Sequence, residues 1–494
     1  MVSEVFFLCY DSDSLDRGND MSDIKYNEIS PEITGQFRAV CRRVFTGDEI
    51  SDDFSHDEMP IYGRHAPDIL IEAESTEEVA AAVRICNENR IPVVGRGAGT
   101  GLVGGCVPFA GGVVITTTRM NRILGYDEKN FAVNVEAGVL LKDLAEDAEK
   151  RGYMYPPDPG EKLATLGGNV STNAGGMRAV KYGTTRDYVL AATVVLPTGE
   201  IERVGAAVSK TSSGYSLLNL IIGSEGTLGI ITELTLKLIV KPNADITLII
   251  PFRTLDDCIS TVPEFAQNHL HPQALEFMER EIVESSEAYV GKSVFPKKIN
   301  GEEAEAYLLM TFDGDEEEEL EDIIEKAAEV ALEHEAVDVL IADTPVKKKD
   351  AWAARSSFLE AIEADSKLLD ECDVVVPVDR IAEYFSFTKK AAEEAGITNK
   401  NFGHAGDGNI HIYALSNDLE LDEFRKRADK FFTDIYGKAA ELGGLISGEH
   451  GIGSGKIDYL EASVGKKQMQ LMEGIKRVFD PNMILNPGKV CTRL

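Results

Sequence analysis

Residues 93–105 read VVGRGAGTGLVGG, and this stretch, with the dozen residues after it, restricts the fold more than any other part of the chain. A β-rich run leads into the glycines, and the next β-rich run, GGVVITT, is under way by Val113. Gly99, Gly101 and Gly104 satisfy a GxGxxG pattern. In a dinucleotide-binding fold that pattern opens a helix, whose N-terminus meets the pyrophosphate. Here Pro108 and an Ala-Gly-Gly turn stand where the helix would run, and a strand–helix–strand crossover needs about a dozen residues or more. A doubly wound nucleotide fold is therefore excluded at this loop. What remains is a row of glycines at 95, 97, 99 and 101, whose N–H groups can converge on an anion, with Arg96 and Thr100 as further donors. A glycine-rich surface turn satisfies the same letters.

Two later segments are built alike. PPDPGEKLATLGGNVSTNAGGMRAVKYG, residues 156–183, is too rich in Gly, Asn, Ser and Thr for an ordinary core helix, and it lets backbone amides approach a flat ring. IIGSEGTLGIIT, residues 221–232, is a glycine-punctuated run into a strand. Three such loops suit one large, polar, phosphate-bearing ligand.

The surrounding patterns predict an α/β alternation. Ser75 and Glu78 form a capping box ahead of a helix with Val79, Val83 and Cys86 on one face. FAVNVEAG alternates at Phe131, Val133 and Val135 as a strand does. VLLKDLAEDAEKRGY is an amphipathic helix, VLAATVVLPTGEIERV a hairpin turning at Thr198-Gly199, and GIITELTLKLI another strand. From about residue 245 the texture changes. ADITLIIPF, an acidic helix, AYLLMTFDG, a second acidic helix and AVDVLIAD predict a separate sheet. DEEEEL reads as the solvated start of that second helix. DVVVPVDRIAEYFSFTKKAAEEAG repeats the strand–helix pattern, as does HIYAL with a helix over 422–442. The last forty residues are helical and close in an Asn-Pro-Gly turn.

Charge narrows the partners. The 494 residues carry 84 acids against 50 bases, a net charge of -34. That disfavours nucleic acid and anionic membranes, suits a basic protein partner, and obliges an anionic substrate to find local positive groups. The seven cysteines make no CxxC pair and are too widely spaced for an iron–sulfur or Cys-rich zinc site. They read as free thiols of a reducing cytoplasm. No apolar run reaches the length of a membrane span. The first twenty residues lack the basic and small-residue regions of a signal peptide, and Met21 offers a second start, so 1–20 read as an upstream extension.

Residues 60–242, with 402–412 and 447–494, resemble the FAD-linked 2-hydroxy-acid dehydrogenases of the vanillyl-alcohol-oxidase/PCMH flavoprotein superfamily. The resemblance rests on PPDPGEK, STNAGGMRAVKYG, DECDVVVP and SGEHGIG, and covers nearly everything after Phe37. These motifs are most similar to those of the D-lactate dehydrogenase subunits of ETF-linked electron-bifurcating complexes. The resemblance implies an α+β chain. An N-terminal extension and leader would span 1–36, and a two-subdomain PCMH-type FAD-binding domain 37–243. A ferredoxin-like antiparallel-sheet cap domain, carrying the substrate, would span 244–446. The C-terminal helical segment 447–494 would return to complete the FAD site. It further implies that Gly95, Arg96, Gly97, Ala98, Gly99, Thr100 and Gly101 hold the FAD pyrophosphate. Asp158, Gly168, Asn169, Thr172, Asn173, Gly176 and Tyr182 would surround the flavin and ribityl chain. Glu225, Gly229 and Ile231 would lie by the adenine half, and Asn486 near the ring. Some relatives bind FAD through a histidine in these loops. This chain has none between His65 and His269, so non-covalent FAD is expected.

With a flavin expected, the run FGHAGDGNIHI at 402–412 gains meaning. His404 and His411 flank a Gly-Asp-Gly-Asn turn, and SGEHGIG places Glu449 beside His450 some forty residues on. Two imidazoles and a carboxylate suit a divalent cation with open positions, Fe²⁺ or Zn²⁺. Unrelated polar groups at strand ends would read the same by spacing alone. The resemblance implies His404, His411 and Glu449 as metal ligands and His450 as the base that takes a hydroxyl proton. Arg355, in AWAARSSFLEAI, reads as an exposed helix arginine or as the fork for a substrate carboxylate; the resemblance favours the fork. Relatives acting on 2-hydroxyglutarate carry a lysine where this chain reads LLDECDVVVP, so a monocarboxylate such as lactate is the better fit.

The expected activity is oxidation of a small D-2-hydroxy acid, D-lactate to pyruvate, by an FAD-dependent dehydrogenase acting on CH–OH. Without cluster ligands or a nicotinamide domain, electrons leave to another protein or a quinone. The resemblance implies an electron-transferring flavoprotein heterodimer. Alternatives are a glycolate or D-2-hydroxyglutarate dehydrogenase, a non-catalytic flavin subunit, and a metal-dependent hydrolase.

Overall fold

The structure, a computed structural model, describes residues 24–494; the upstream extension read at 1–20 lies outside the described residues. Its first sheet has the order Val44–Thr46, Ile69–Glu72, Val113–Thr116, Val93–Arg96. The last three strands are parallel. Val93 and Val113 sit side by side, joined by residues 97–112 as an irregular loop with no helix, as the sequence requires. Helix Thr76–Asn89 covers this sheet with Val79, Val83 and Cys86 buried against Ile69, Ile71 and Ile115. Ser75 Oγ accepts from Glu78 N at 3.3 Å, but the Glu78 carboxylate accepts from Glu74 N, so the expected capping box is closed from one side only.

A second, antiparallel sheet has the order Ile123–Asp127, Ala132–Glu136, Ile230–Lys237, Val189–Val195, Ile201–Gly205. It contains the expected hairpin about Thr198-Gly199. Val133 and Val135 face helix Leu141–Lys150. The strand starts one residue later than the sequence suggests: Phe131 has φ +50° and is half exposed, outside it.

The third sheet has seven antiparallel strands: Leu340–Ile341, Ala244–Phe252, Ala306–Gly314, Ala274–Glu279, Thr398–His404, Asn409–Ser416, Leu368–Val375. Its first four make one βαββαβ unit of ferredoxin-like order. The last three make most of a second. Leu445 and Ser447 bridge to Val375 and Asp373, standing where that unit's fourth strand would run. Strand alternation divides the two faces. Phe277, Cys372, Ile410 and Ile412 point to one side, into a core with helices Glu317–Glu333, Ile381–Ala395 and Leu421–Glu441. Met278, Phe402 and Tyr413 point to the other, against helices Pro345–Ser356 and Phe358–Asp365.

Three elements here differ from the sequence expectation. AVDVLIAD contributes only the two-residue edge strand Leu340–Ile341. ALEFME is an unforeseen central strand, Ala274–Glu279. Within 156–183, LGGNVST does form a two-turn helix, Leu166–Thr172. Gly167 permits it, since a Cβ there would lie 2.7 Å from the Ala137 Cβ.

Helices Ile457–Val464 and Lys466–Phe479 carry the chain back to the first sheet. Val93 N donates to Ile484 O, and Asn486 N to Val93 O, at 2.8 and 2.7 Å. The buried Lys476 ammonium donates to Thr227 O, Leu485 O and Asp480, tying the returning segment to the 221–232 loop. Among the described residues no helix is long and apolar enough to cross a membrane.

Candidate active site

Hairpin geometry brings the two histidines together. The strands Thr398–His404 and Asn409–Ser416 pair with His404 opposite Asn409 and Phe402 opposite His411. His404 and His411 therefore share a face on a diagonal. The turn closes through Gly408 N to His404 O at 3.1 Å. Gly408 has φ +82°, and a Cβ there would meet Val376 O at 2.1 Å. Gly408→Ala is expected to cost about 1–3 kcal/mol through strain and clash, read as a lowered thermal midpoint together with weakened substrate reduction of the flavin.

On the same face, Glu276 lies opposite His404, and Asp373 opposite His411. Glu371 is two residues from Asp373 and shares its side. The four strands thus present Glu276, His404, His411, Glu371 and Asp373 in one row. The SGEHGIG segment lies across this row and is held at two points. Asp373 Oδ2 accepts from Gly448 N, Glu449 N and His450 N at 2.7–2.9 Å. Glu225, itself at φ +52°, accepts from Ile452 N and Gly453 N at 2.7 Å. Glu449 and His450 are delivered by these carboxylates.

His404 Nδ1 lies 2.7 Å from Glu276 Oε1, which turns its Nε2 toward His411 Nε2 at 3.4 Å. Glu449 Oε1 is 3.5 Å from the first Nε2 and 3.3 Å from the second. Ligand atoms about 2.0–2.1 Å from a tetrahedral Zn²⁺ stand ~3.3–3.4 Å apart, so the triangle has the spacing of a divalent site with open positions. Charge supports the same fit. Glu276, Glu371, Asp373 and Glu449 are balanced by Arg355 and Lys456 alone if the imidazoles are neutral, which leaves two buried negative charges. A dication, or protons on the histidines, neutralises them. Burial opposes the charge on His404, yet Glu276 and Glu449 hold its pKa well above the usual imidazole range. Burial pushes His411 well below it. Burial likewise opposes ionisation of Glu449, but the adjacent histidines hold it well below the usual carboxylate range.

A second cluster, Glu371, Asp373 and His450, also has metal-like spacing. There the cation is already present: Lys456 Nζ lies 2.6 Å from Asp373 Oδ1 and 3.4 Å from Glu371 Oε1. His450 Nδ1 lies 2.9 Å from Glu371 Oε2, and its Nε2 faces Glu449 Oε1 at 3.6 Å. Burial opposes protonation of His450, but Glu371 and Asp373 outweigh it and raise its proton affinity.

Arg355 departs from the simple expectation. Its Nε and one Nη bind Glu276 Oε2 at 2.9 and 2.6 Å, and its guanidinium lies over the Phe402 and Phe358 rings. It is neither an exposed helix arginine nor a free fork. It fixes the carboxylate that orients His404, and its other N–H groups remain for the cavity.

One cavity of about 450 Å³ joins these groups to the glycine loops. Its walls include all seven residues from Gly95 to Gly101, then Gly168, Asn169, Thr172, Glu225, Ile231, Arg355, His404, His411, Glu449 and His450. Six expected residues stand off its surface. Asp158 pairs with Lys162 and Arg178 in a neighbouring cavity. Gly176, with φ +127°, lets the chain pass the Asp158 carbonyl. Asn173 caps the short helix in a left-handed conformation and accepts from Arg186 N. Tyr182 OH donates to Asp313 at 2.6 Å. Gly229 packs beneath Val194. Asn486 Nδ2 donates to Gly105 O and Glu225 O behind the wall. The cavity fits a large polar cofactor: its volume is that of an ordinary ligand site, and the buried Asn169 Nδ2 on its wall has no partner within the protein. Four residues escaped sequence reading: Glu276, Glu371, Asp373 and Lys456. A period-two strand reading of DECDVVVP would have put Glu371 and Asp373 on one face; no motif marks the other two.

A glycine-lined half and a histidine–carboxylate half thus share one chamber. Comparison with known proteins gives the class. Residues 67–205 match a family described as FAD binding domain, and residues 241–490 match FAD linked oxidases, C-terminal domain. A D-lactate dehydrogenase of Anaerostipes hadrus is 64% identical over 96% of this chain and 100% of its own length. One from Archaeoglobus fulgidus is 41% identical over 90% of this chain and 96% of its own. Glycolate oxidase subunit GlcD of Bacillus subtilis is 39% identical over 88% and 91%. Among solved structures, p-cresol methylhydroxylase with substrate bound superposes with a TM-score of 0.77 at 18% identity, covering 95% of this chain and 99% of that one. The chain belongs to the FAD-linked oxidase family, and it is an FAD-dependent oxidoreductase with a PCMH-type fold.

Proposed function

We propose that this enzyme oxidises D-lactate to pyruvate and passes the electrons to an electron-transferring flavoprotein. The observation that carries the reading is the shared cavity, in which His450, Arg355 and the His404–His411–Glu449 triangle open onto the same space as Gly95–Gly101 and Asn169. The 64% identical relative supports the substrate.

The residues divide the work. Arg355 directs its remaining N–H groups at the substrate carboxylate. The Phe358 and Phe402 rings beneath it exclude water from that contact. His450 takes the hydroxyl proton at Nε2. FAD, bound non-covalently by Gly95–Gly101 and the Gly168–Thr172 turn, would accept the C2 hydrogen with its two electrons. A divalent cation held by His404, His411 and Glu449 would supply a Lewis acid that lowers the pKa of the hydroxyl. Arg96 and Arg355 are the cations on the cavity wall, which also carries Glu58, Glu360 and Glu363. A second substrate carboxylate finds no cation of its own there.

The test is anaerobic mixing of the flavin-loaded enzyme with D-lactate, L-lactate, glycolate and D-2-hydroxyglutarate. D-Lactate is expected to bleach the flavin at least about tenfold faster than the dicarboxylate, a difference of ~1.4 kcal/mol. A flavin that stays oxidised with all four, or that the dicarboxylate reduces fastest, overturns the assignment. The acceptor is tested by adding an electron-transferring flavoprotein to the reduced enzyme, with reoxidation expected in excess of that by a soluble quinone.

A further inference from the structure

The buried ions behind His450 form a chain that the reaction as described leaves unused. Glu371 projects from the middle of strand Leu368–Val375 with its side chain fully buried. One oxygen meets His450 Nδ1 at 2.9 Å, and the other faces Lys456 Nζ at 3.4 Å. Lys456 stands just before helix Ile457–Val464, almost wholly buried, and also reaches Asp373 at 2.6 Å. The His450 ring stacks on His411, with centroids 5.1 Å apart and planes 23° from parallel. The imidazole is therefore gripped at Nδ1 and on one face, while Nε2 stands on the cavity wall 3.6 Å from Glu449 Oε1, beyond hydrogen-bond distance.

We infer that Glu371, paired with Lys456, is the positioning residue for His450. An ionised carboxylate only accepts hydrogen bonds. Facing Nδ1, it places the imidazole hydrogen there and leaves Nε2 as the lone-pair nitrogen on the cavity side. Without it the ring can present N–H to the substrate hydroxyl, which cannot receive a proton. Lys456 supplies the opposite charge for this buried carboxylate, which would otherwise stand uncompensated. The arrangement runs parallel to Arg355–Glu276–His404, so the same device occurs twice on one sheet face. One copy orients a candidate metal ligand and the other orients the base.

This inference rests on His450 acting as the base, and the experiment separates the two. Glu371→Gln, Glu371→Asp and His450→Ala are compared with wild type, using whichever of the four hydroxy acids reduces the wild-type flavin fastest. Glutamine keeps the shape of Glu371, but its amide can donate to Nδ1 and invert the tautomer. Glu371→Gln is expected to lose on the order of 10²–10⁴-fold in kcat, with KM within about twofold and flavin and metal content unchanged. Glu371→Asp is expected to recover at least about tenfold of that loss, because it restores an acceptor-only group. If Glu371→Gln keeps kcat within about threefold of wild type while His450→Ala is inactive, the role of Glu371 falls and the base stands. The same holds if activity falls only in step with lost flavin or metal. If His450→Ala is itself active, both fall.

Discussion

The His450→Ala enzyme is expected to bind FAD with an undisturbed visible spectrum and to be reduced by D-lactate on the order of 10²–10⁴ times more slowly, the usual worth of a positioned general base. Two features make the loss specific. His450 has no hydrogen bond to the glycine loops, so its removal leaves the glycine-lined half of the cavity intact. Asp373 holds the backbone N–H of His450 at 2.9 Å, while the imidazole lies 3.9 Å from the same carboxylate, so the SGEHGIG segment keeps its backbone anchor when the imidazole is gone. Glu371 then faces Lys456 alone, which remains a satisfied pair. Stopped-flow bleaching with equilibrium binding of an unreactive 2-hydroxy-acid analogue checks this. A variant reduced within about threefold of the wild-type rate removes His450 from the chemistry. Unchanged binding with slow reduction assigns it to the proton.

How far the letters could be read differs sharply between the two halves of the cavity. The glycine half was legible because glycine is informative. A row such as 95, 97, 99, 101 followed by no helix has few structural uses, and all seven residues of that loop line the chamber. The histidine half was legible because a tight turn brings His404 and His411 together, and a turn can be seen in sequence. The carboxylates behind them were not. Glu276 lies in ALEFME, whose Ala, Leu, Glu and Met favour helix. It becomes a strand because Ala306–Gly314 and Thr398–His404 pair with it on both sides, a tertiary choice that overrides local propensity. AVDVLIAD fails in the opposite sense: its β-branched letters promise a strand, but at the sheet edge only Leu340 and Ile341 form a ladder, with Ala336 making an isolated bridge to Phe252. Arg355 shows a third limit. Its presence in the site could be expected from the resemblance, but its pairing with Glu276 depends on a residue 79 positions away.

Asp373 supports the second large effect, and here stability and activity should come apart. Its carboxylate accepts three consecutive backbone N–H groups and the Ser447 hydroxyl, and faces the buried Lys456 ammonium. Burial disfavours its charge, but Lys456, His450 and the backbone donors outweigh that and hold its pKa down at about 2. Asp373→Ala leaves Lys456 with Glu371 alone and frees the loop carrying Glu449 and His450. Breaking a buried pair from one side costs ~3–5 kcal/mol, so a clear fall in the thermal midpoint is expected, with near-complete loss of flavin reduction by D-lactate. The double variant Asp373→Ala/Lys456→Met removes the pair from both sides, leaves Glu371 with His450, and fills the lysine's place with an apolar chain of similar length. Exchanging both partners for apolar groups is often neutral, so this protein should regain most of the lost thermal stability. It should regain none of the activity, because the three N–H groups of residues 448–450 still lack the acceptor that aims Glu449 and His450 into the cavity. Recovery of both properties together would mean that the ion pair serves folding alone, and that the loop finds its catalytic position without Asp373.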